Sequence, residues 1–297
     1  MSKRLVPRKL FCANDPFLGL QVFLLSCDNR QIEGPDTNLL KFDYFEKIGV
    51  LHNDFLTNVK ENFQLDNSLN TLDERIDYIN RFQNEFLECL ELSDSDMKIM
   101  SQELELSKGL VDIDVTKKLV LTNHALLKEG DEASVYTLID QAEAYNIVDQ
   151  FEYSTLTQLS DLARMGYEGT ISEYQFAREL QNMKNDWISM GYLVNENCGY
   201  ISGCAIAISI ASMEWWNENP DAGIVVIDKE SNVLVPVWAV SDAVGAIWGA
   251  TSGAIGSYMI NGEVKWGSVG FGALSGAVAG STGVVGKVAK WITKVIS

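Results

Sequence analysis

From Leu40 onward, apolar residues return at helical spacing. Leu40, Phe45, Ile48, Leu51, Phe55, Val59 and Phe63 lie three to five places apart and put one oily stripe along a long helix. Thr71 and Glu74 have the spacing of a capping box, in which each side chain satisfies the other's free backbone N–H. They open a second helix that buries Ile76, Ile79, Phe82, Phe86 and Leu90. Ser93 with Asp96 marks a third start. Further helices are predicted over Val115 to Lys128, Asp131 to Gln150 and Ser154 to Met165, with Gly130 and Gly166 as breaks. Thr170 with Glu173 opens another that runs to about Met190. Gly199 to Trp216 is one more, its Gly203, Ala205, Ala207 and Ala211 allowing close approach by a neighbour. Only the stretch from Ile224 to about Pro236 has extended character. The pattern predicts an all-α protein: an acidic helical bundle over 37–223, an extended connector over 224–236, and a glycine-rich hairpin over 237–297.

In that last segment Gly245, Gly249 and Gly253 are spaced by four, and so are Gly272, Gly276 and Gly280. Each triplet lines one face of a helix with bare backbone. Glycine costs about 1 kcal/mol in a helix interior, so six of them call for a compensating gain, which close helix–helix approach supplies. Asn261 and Gly262 offer a turn between the two helices, making the six glycines candidate packing residues of a hairpin. Val237 to Ile260 would be about 36 Å long and Trp266 to Gly286 about 31 Å, lengths that match a bilayer core. The first carries one charge, Asp242, costly in lipid unless it lies near the interface. Alanine, glycine and serine gain little from hydrocarbon, so a preformed hairpin would enter more readily than either helix singly. Trp238, Trp266 and Trp291 stand near the segment ends, as at a lipid interface, whereas Trp248 falls in mid-helix. After Gly286, Lys287, Lys290 and Lys294 face one way and Val288, Trp291, Ile292 and Val295 the other. This basic amphipathic tail makes Lys287, Lys290, Trp291 and Lys294 candidate membrane-surface contacts.

Charge sharpens the division. The 297 residues carry a formal −18, yet Lys3, Arg4, Arg8 and Lys9 dominate the start and Lys265, Lys287, Lys290 and Lys294 the end. The middle is therefore strongly acidic, which disfavours nucleic acid as a partner. At the start, a basic stretch leads into the apolar run Phe17 to Ser26 and then Cys27, the order of a secretory signal over 1–27. Residues 28–36 form a polar linker.

Chemistry is hard to find. The sequence has no GxGxxG, phosphate-binding loop, HExxH or GxSxG. Cys12, Cys27, Cys89, Cys198 and Cys204 form neither a disulfide framework nor a zinc site, although Cys198 and Cys204 are near enough in sequence to pair or to stay as two buried thiols. His52 and His124 stand in no catalytic motif and are expected as solvated or capping residues. The carboxylates Asp66, Asp73, Glu74 and Asp77 lack the glycine and the closing glutamate of a calcium loop and suit a helix N-terminus. No catalytic residue, cofactor or metal is expected.

Two resemblances bear on function. Leu24, Leu25, Ser26 and Cys27 resemble the lipobox of bacterial lipoproteins, which implies cleavage before Cys27 and attachment of a lipid to its sulfur. Residues 240–290, with their two GxxxGxxxG triplets and cationic aromatic tail, resemble the glycine-zipper peptides of class II two-peptide bacteriocins, in which such helices insert into and permeabilise membranes. The expectation is a non-enzymatic bacterial cell-envelope protein, anchored through Cys27, whose hairpin meets membrane lipid or forms homo-oligomers through its zippers. The alternative is a bacteriocin-like toxin or effector in which the acidic body carries a membrane-active tail.

Overall fold

A computed structural model of the chain describes residues 39–88, 127, 134–193, 198–222 and 237–282. Among the described residues the fold is all-α. Its helices are α1 (Asp43–Asn62), α2 (Leu72–Glu88), α3 (Val135–Ala144), α4 (Gln150–Tyr167), α5 (Glu173–Met190), α6 (Tyr200–Glu218), α7 (Val237–Asn261) and α8 (Trp266–Thr282). A short 3₁₀ turn, Pro220–Ala222, follows α6. Leu39 and Leu193 form an isolated antiparallel bridge. The linker, the extended connector, the starts proposed at Ser93 and Val115, and His124 lie outside the described residues.

The helices begin where polar side chains meet free backbone N–H groups. Thr71 Oγ1 accepts from the Glu74 N–H at 3.2 Å while the Glu74 carboxylate accepts from Thr71 N–H at 3.0 Å, completing the box that opens α2. Glu74 also accepts from Asn70 N–H, and these bonds hold its carboxyl below the usual range. The Asp66 carboxylate is occupied by the Ser68 N–H and hydroxyl.

Two boundaries differ from the sequence pattern. The helix expected from Asp131 to Gln150 is broken, because Asn146 takes a left-handed conformation (φ 55°) after α3. Asp149 then caps α4 by accepting from Glu152 N–H at 2.7 Å, so that helix starts before Ser154. The cap of α5 is Ser172 rather than Thr170. Ser172 and Gln175 make the reciprocal box, and Thr170 instead donates to the Met165 carbonyl at the end of α4.

The core is organised around α6, α7 and α8. Helix α6 buries nearly its whole circumference, from Tyr200 to Trp216, as an element surrounded by others must. It packs on α1, α5, α7 and α8, while α7 also meets α3 and α4, and α8 meets α1 and α2. Small residues set the α1–α6 distance: a Cβ built at Gly49 would stand 2.7 Å from that of Ala211. Aromatic edges fill the remaining volume, with Phe45, Trp187 and Tyr200 in edge-to-face contact and Phe55 likewise against Phe82 and Phe86. A single set of buried side chains runs from Leu40 in front of α1 to Ala279 in α8, so the described parts of the acidic body and the hairpin share one core.

Candidate functional site

The hairpin is the first candidate. Helices α7 and α8 lie against each other with their glycine faces inward. A Cβ at Gly245 would run into the Gly276 carbonyl, one at Gly249 into that of Gly272, and one at Gly253 into that of Ser268. From the other helix, Gly272 meets Gly249, Gly276 meets Gly245, and Gly280 meets Ser241. All six predicted packing glycines thus lie in a contact where any side chain would displace backbone. The turn uses Gly262 at φ 72°, a conformation that L side chains rarely adopt. At this closed end Met259 and Ile260 are exposed, 69% and 60%.

The hairpin is not presented to solvent along its length. Val240, Val244, Ile247, Ala250 and Ala254 of α7 and Val269, Ala273, Ala277 and Val278 of α8 are buried. Trp238 and Trp266, expected at a lipid interface, pack into the body: Trp266 stacks on Tyr200 at 3.9 Å and Trp238 lies 5.2 Å from Trp216. No helix among the described residues is long and apolar enough to cross a membrane. Cys27 and the tail residues Lys287, Lys290, Trp291 and Lys294 lie outside the described residues.

The open end of the hairpin holds the second candidate, which sequence spacing did not reveal. Asp242 is wholly buried, and its Oδ2 accepts from Ser212 Oγ at 2.5 Å and from Trp216 Nε1 at 3.0 Å, both on α6. Its Oδ1 accepts from Ser281 Oγ on α8. His52 of α1, also wholly buried, places Nε2 at 2.9 Å from Ser281 Oγ and 3.5 Å from Asp242 Oδ2. His52 is therefore neither solvated nor a helix cap, contrary to the expectation from sequence. Its ring completes a polar cluster drawn from α1, α6, α7 and α8, and Asp242 is satisfied by protein donors.

Serine, histidine and aspartate in contact invite comparison with a nucleophilic triad, and the geometry argues against it for this cluster. A triad orients imidazole through Nδ1 and activates serine through Nε2. Here the serine and the carboxylate share Nε2, and Nδ1 faces Asn53 Oδ1 at 3.2 Å. The Asn53 amide donates to the Ala211 carbonyl, which turns its oxygen toward His52 and assigns a proton to Nδ1. The buried contacts of Ser281 with Asp242 and His52 link α1, α7 and α8 rather than setting a nucleophile at a solvent-open site.

A third cluster surrounds the start of α6. The Glu152 carboxylate, buried on α4, accepts from Gly199 N–H at 2.8 Å, Ser202 N–H at 2.9 Å and Ser202 Oγ at 3.0 Å. It caps α6 from a distant part of the chain. Burial pushes its pKa up to about 7, against the lowering effect of these three donors. Gly199 sits at φ 86° beneath the Tyr192 ring, and its carbonyl accepts from Trp187 Nε1 at 2.9 Å. Burial, followed by the charges of Asp149 and Glu152, raises the Cys198 thiol to about 11, so it is not a ready nucleophile. Cys198 and Cys204 are not joined in a disulfide. Among the described residues, no group of three or more His, Cys, Asp or Glu side chains is placed to hold a metal.

Comparison of the chain with protein-family models, with curated proteins and with solved structures finds no match.

Proposed function

We propose that this chain is a non-enzymatic bacterial effector in which an acidic helical body sheathes a membrane-active glycine-zipper hairpin. The body keeps α7 and α8 out of water until they meet a target bilayer. The observation that carries this proposal is where unsatisfied polarity lies. The described buried side-chain polar atoms without a hydrogen-bond partner are Trp238 Nε1 and the hydroxyls of Ser252, Ser268 and Ser275, and all four belong to α7 and α8. Each such atom costs about 1–3 kcal/mol. Among the described residues, the sheath helices carry no such buried orphan, so the imperfect fit is confined to the sheathed element, as expected of a guest that has a second environment.

The zipper supports the same view. Its glycine faces are already closed on each other within one chain, so a homo-oligomer through them would require α7 and α8 to separate. A hairpin that leaves the body as a unit keeps this contact and hides its bare backbone, which neither helix does singly.

The test is expression of residues 237–297 alone, with membrane potential followed by a potential-sensitive dye. The fragment is expected to depolarise cells, the full chain to do so far more slowly, and a fragment carrying Gly249→Leu and Gly276→Leu to leave the potential unchanged. A fragment that reaches the membrane fraction without depolarising it would remove the proposal.

A further inference from the structure

Once the hairpin is viewed as cargo, the connections that hold it in the body become the points of control, and the polar ones are unevenly placed. The closed end, with exposed Met259 and Ile260, reaches toward solvent. The open end is held by Asp242. Of its four polar neighbours only Ser281 travels with the hairpin, whereas His52 belongs to α1 and Ser212 and Trp216 to α6. Withdrawal of the hairpin as a unit therefore strips the carboxylate of its sheath partners while leaving every glycine contact intact.

We propose that the Asp242 cluster is a tether that retains the hairpin in its sheath, and that loosening this cluster releases the hairpin toward an anionic lipid surface. This rests on the sheathed-hairpin proposal. Apolar contacts along α7 and α8 are non-directional and give way to lipid contacts of similar kind. The cluster is directional. Trp216 Nε1 is only a donor and Asp242 only an acceptor when ionised, so a hydrocarbon environment offers neither its complement. The tether thus distinguishes protein from bilayer, which the remaining hairpin surface does poorly. Two substitutions loosen it without touching the zipper. Trp216→Phe removes one N–H and keeps a ring in place. Asp242→Asn leaves one amide oxygen for Ser212 and Trp216 and turns the amino group toward Ser281.

The experiment uses the full chain and vesicles of phosphatidylcholine and phosphatidylglycerol loaded with a self-quenching dye. Wild-type protein is expected to release dye slowly, and Asp242→Asn and Trp216→Phe at least about tenfold faster, since a hydrogen bond to a charged group is worth about that factor or more. Phe82→Ala is the control, because it opens the α1–α2 contact with Phe55 and Phe63, away from the cluster, and lowers Tm. Its release rate is expected to stay at the wild-type value. Rates that follow Tm across all variants would overturn the tether, because release would then be ordinary unfolding. Tether variants that stay slow while residues 237–297 alone permeabilise membranes would also overturn it and leave the sheathed hairpin standing. An inert fragment would overturn both.

Discussion

At the scale of single residues, Glu152 offers the clearest titration. Its pKa is about 7 in the fold, above the ordinary glutamate value of 4.5, with burial the dominant cause. Between these values the folded state binds the proton that the unfolded state has released. The contribution is fully present below about pH 4.5, and it is lost as pH rises through about 7. The span corresponds to roughly 3 kcal/mol as an order of magnitude. Glu152→Gln cannot titrate, so wild type is expected to gain stability relative to this variant as pH falls from 7.5 to 5. Urea melts of both proteins across that range check the sign, and a pH-independent difference would show that the three donors hold the carboxylate ionised throughout. No sequence pattern points to this residue. Its partners Gly199 and Ser202 lie 47 and 50 positions away, and only the fold brings an α4 carboxylate to the start of α6.

At the scale of elements, much of the architecture was legible because the signals are local. The α1 stripe, the Thr71–Glu74 box of α2 and the span of α6 follow from residues within one or two turns of each other. The α5 cap was misplaced because Thr170 and Glu173 offer the same spacing as Ser172 and Gln175, and only the chain's exit from α4 decides which pair closes. The break at Asn146 was missed for a related reason, since nothing near it but its own tolerance of positive φ marks the turn. In the hairpin the glycines are not equivalent, and this yields a paired prediction. A Cβ at Gly249 would overlap the Gly272 carbonyl, whereas one at Gly256 meets nothing within 4 Å. Gly249→Ala is expected to cost more than about 2 kcal/mol, because two backbones must part. Gly256→Ala is expected to stabilise α7 by about 0.5–1 kcal/mol through helix propensity and a less free unfolded chain. Thermal melts of the two variants decide it, and equal effects would mean that the zipper is looser than this geometry.

At the scale of the whole molecule, the glycine triplets identified a packing device but not its neighbours. Bare backbone at every fourth position serves a bilayer, an oligomer or a protein core equally well, and the helices that fill the space around α7 and α8 are set by tertiary structure. His52 was unreadable for the same reason, standing 229 positions from Ser281. What distinguishes a sheathed hairpin from an ordinary core is which contacts survive when the protein meets lipid. If α7 and α8 leave as a unit, their glycine-packed backbones stay closed on each other, while α6 loses the face it presents to them and α1 loses its contact through His52. Amide hydrogen exchange on vesicles of phosphatidylcholine and phosphatidylglycerol is therefore expected to leave residues 245–253 and 272–280 protected and to raise exchange in α6 around Ala207 to Ser212 and in α1 around His52. General unfolding at the bilayer would expose the zipper segments along with the rest. A protein that keeps its core would show no change in α6. The ordering of protection between α6 and the zipper thus separates release from both alternatives, and it does so with the unsubstituted protein.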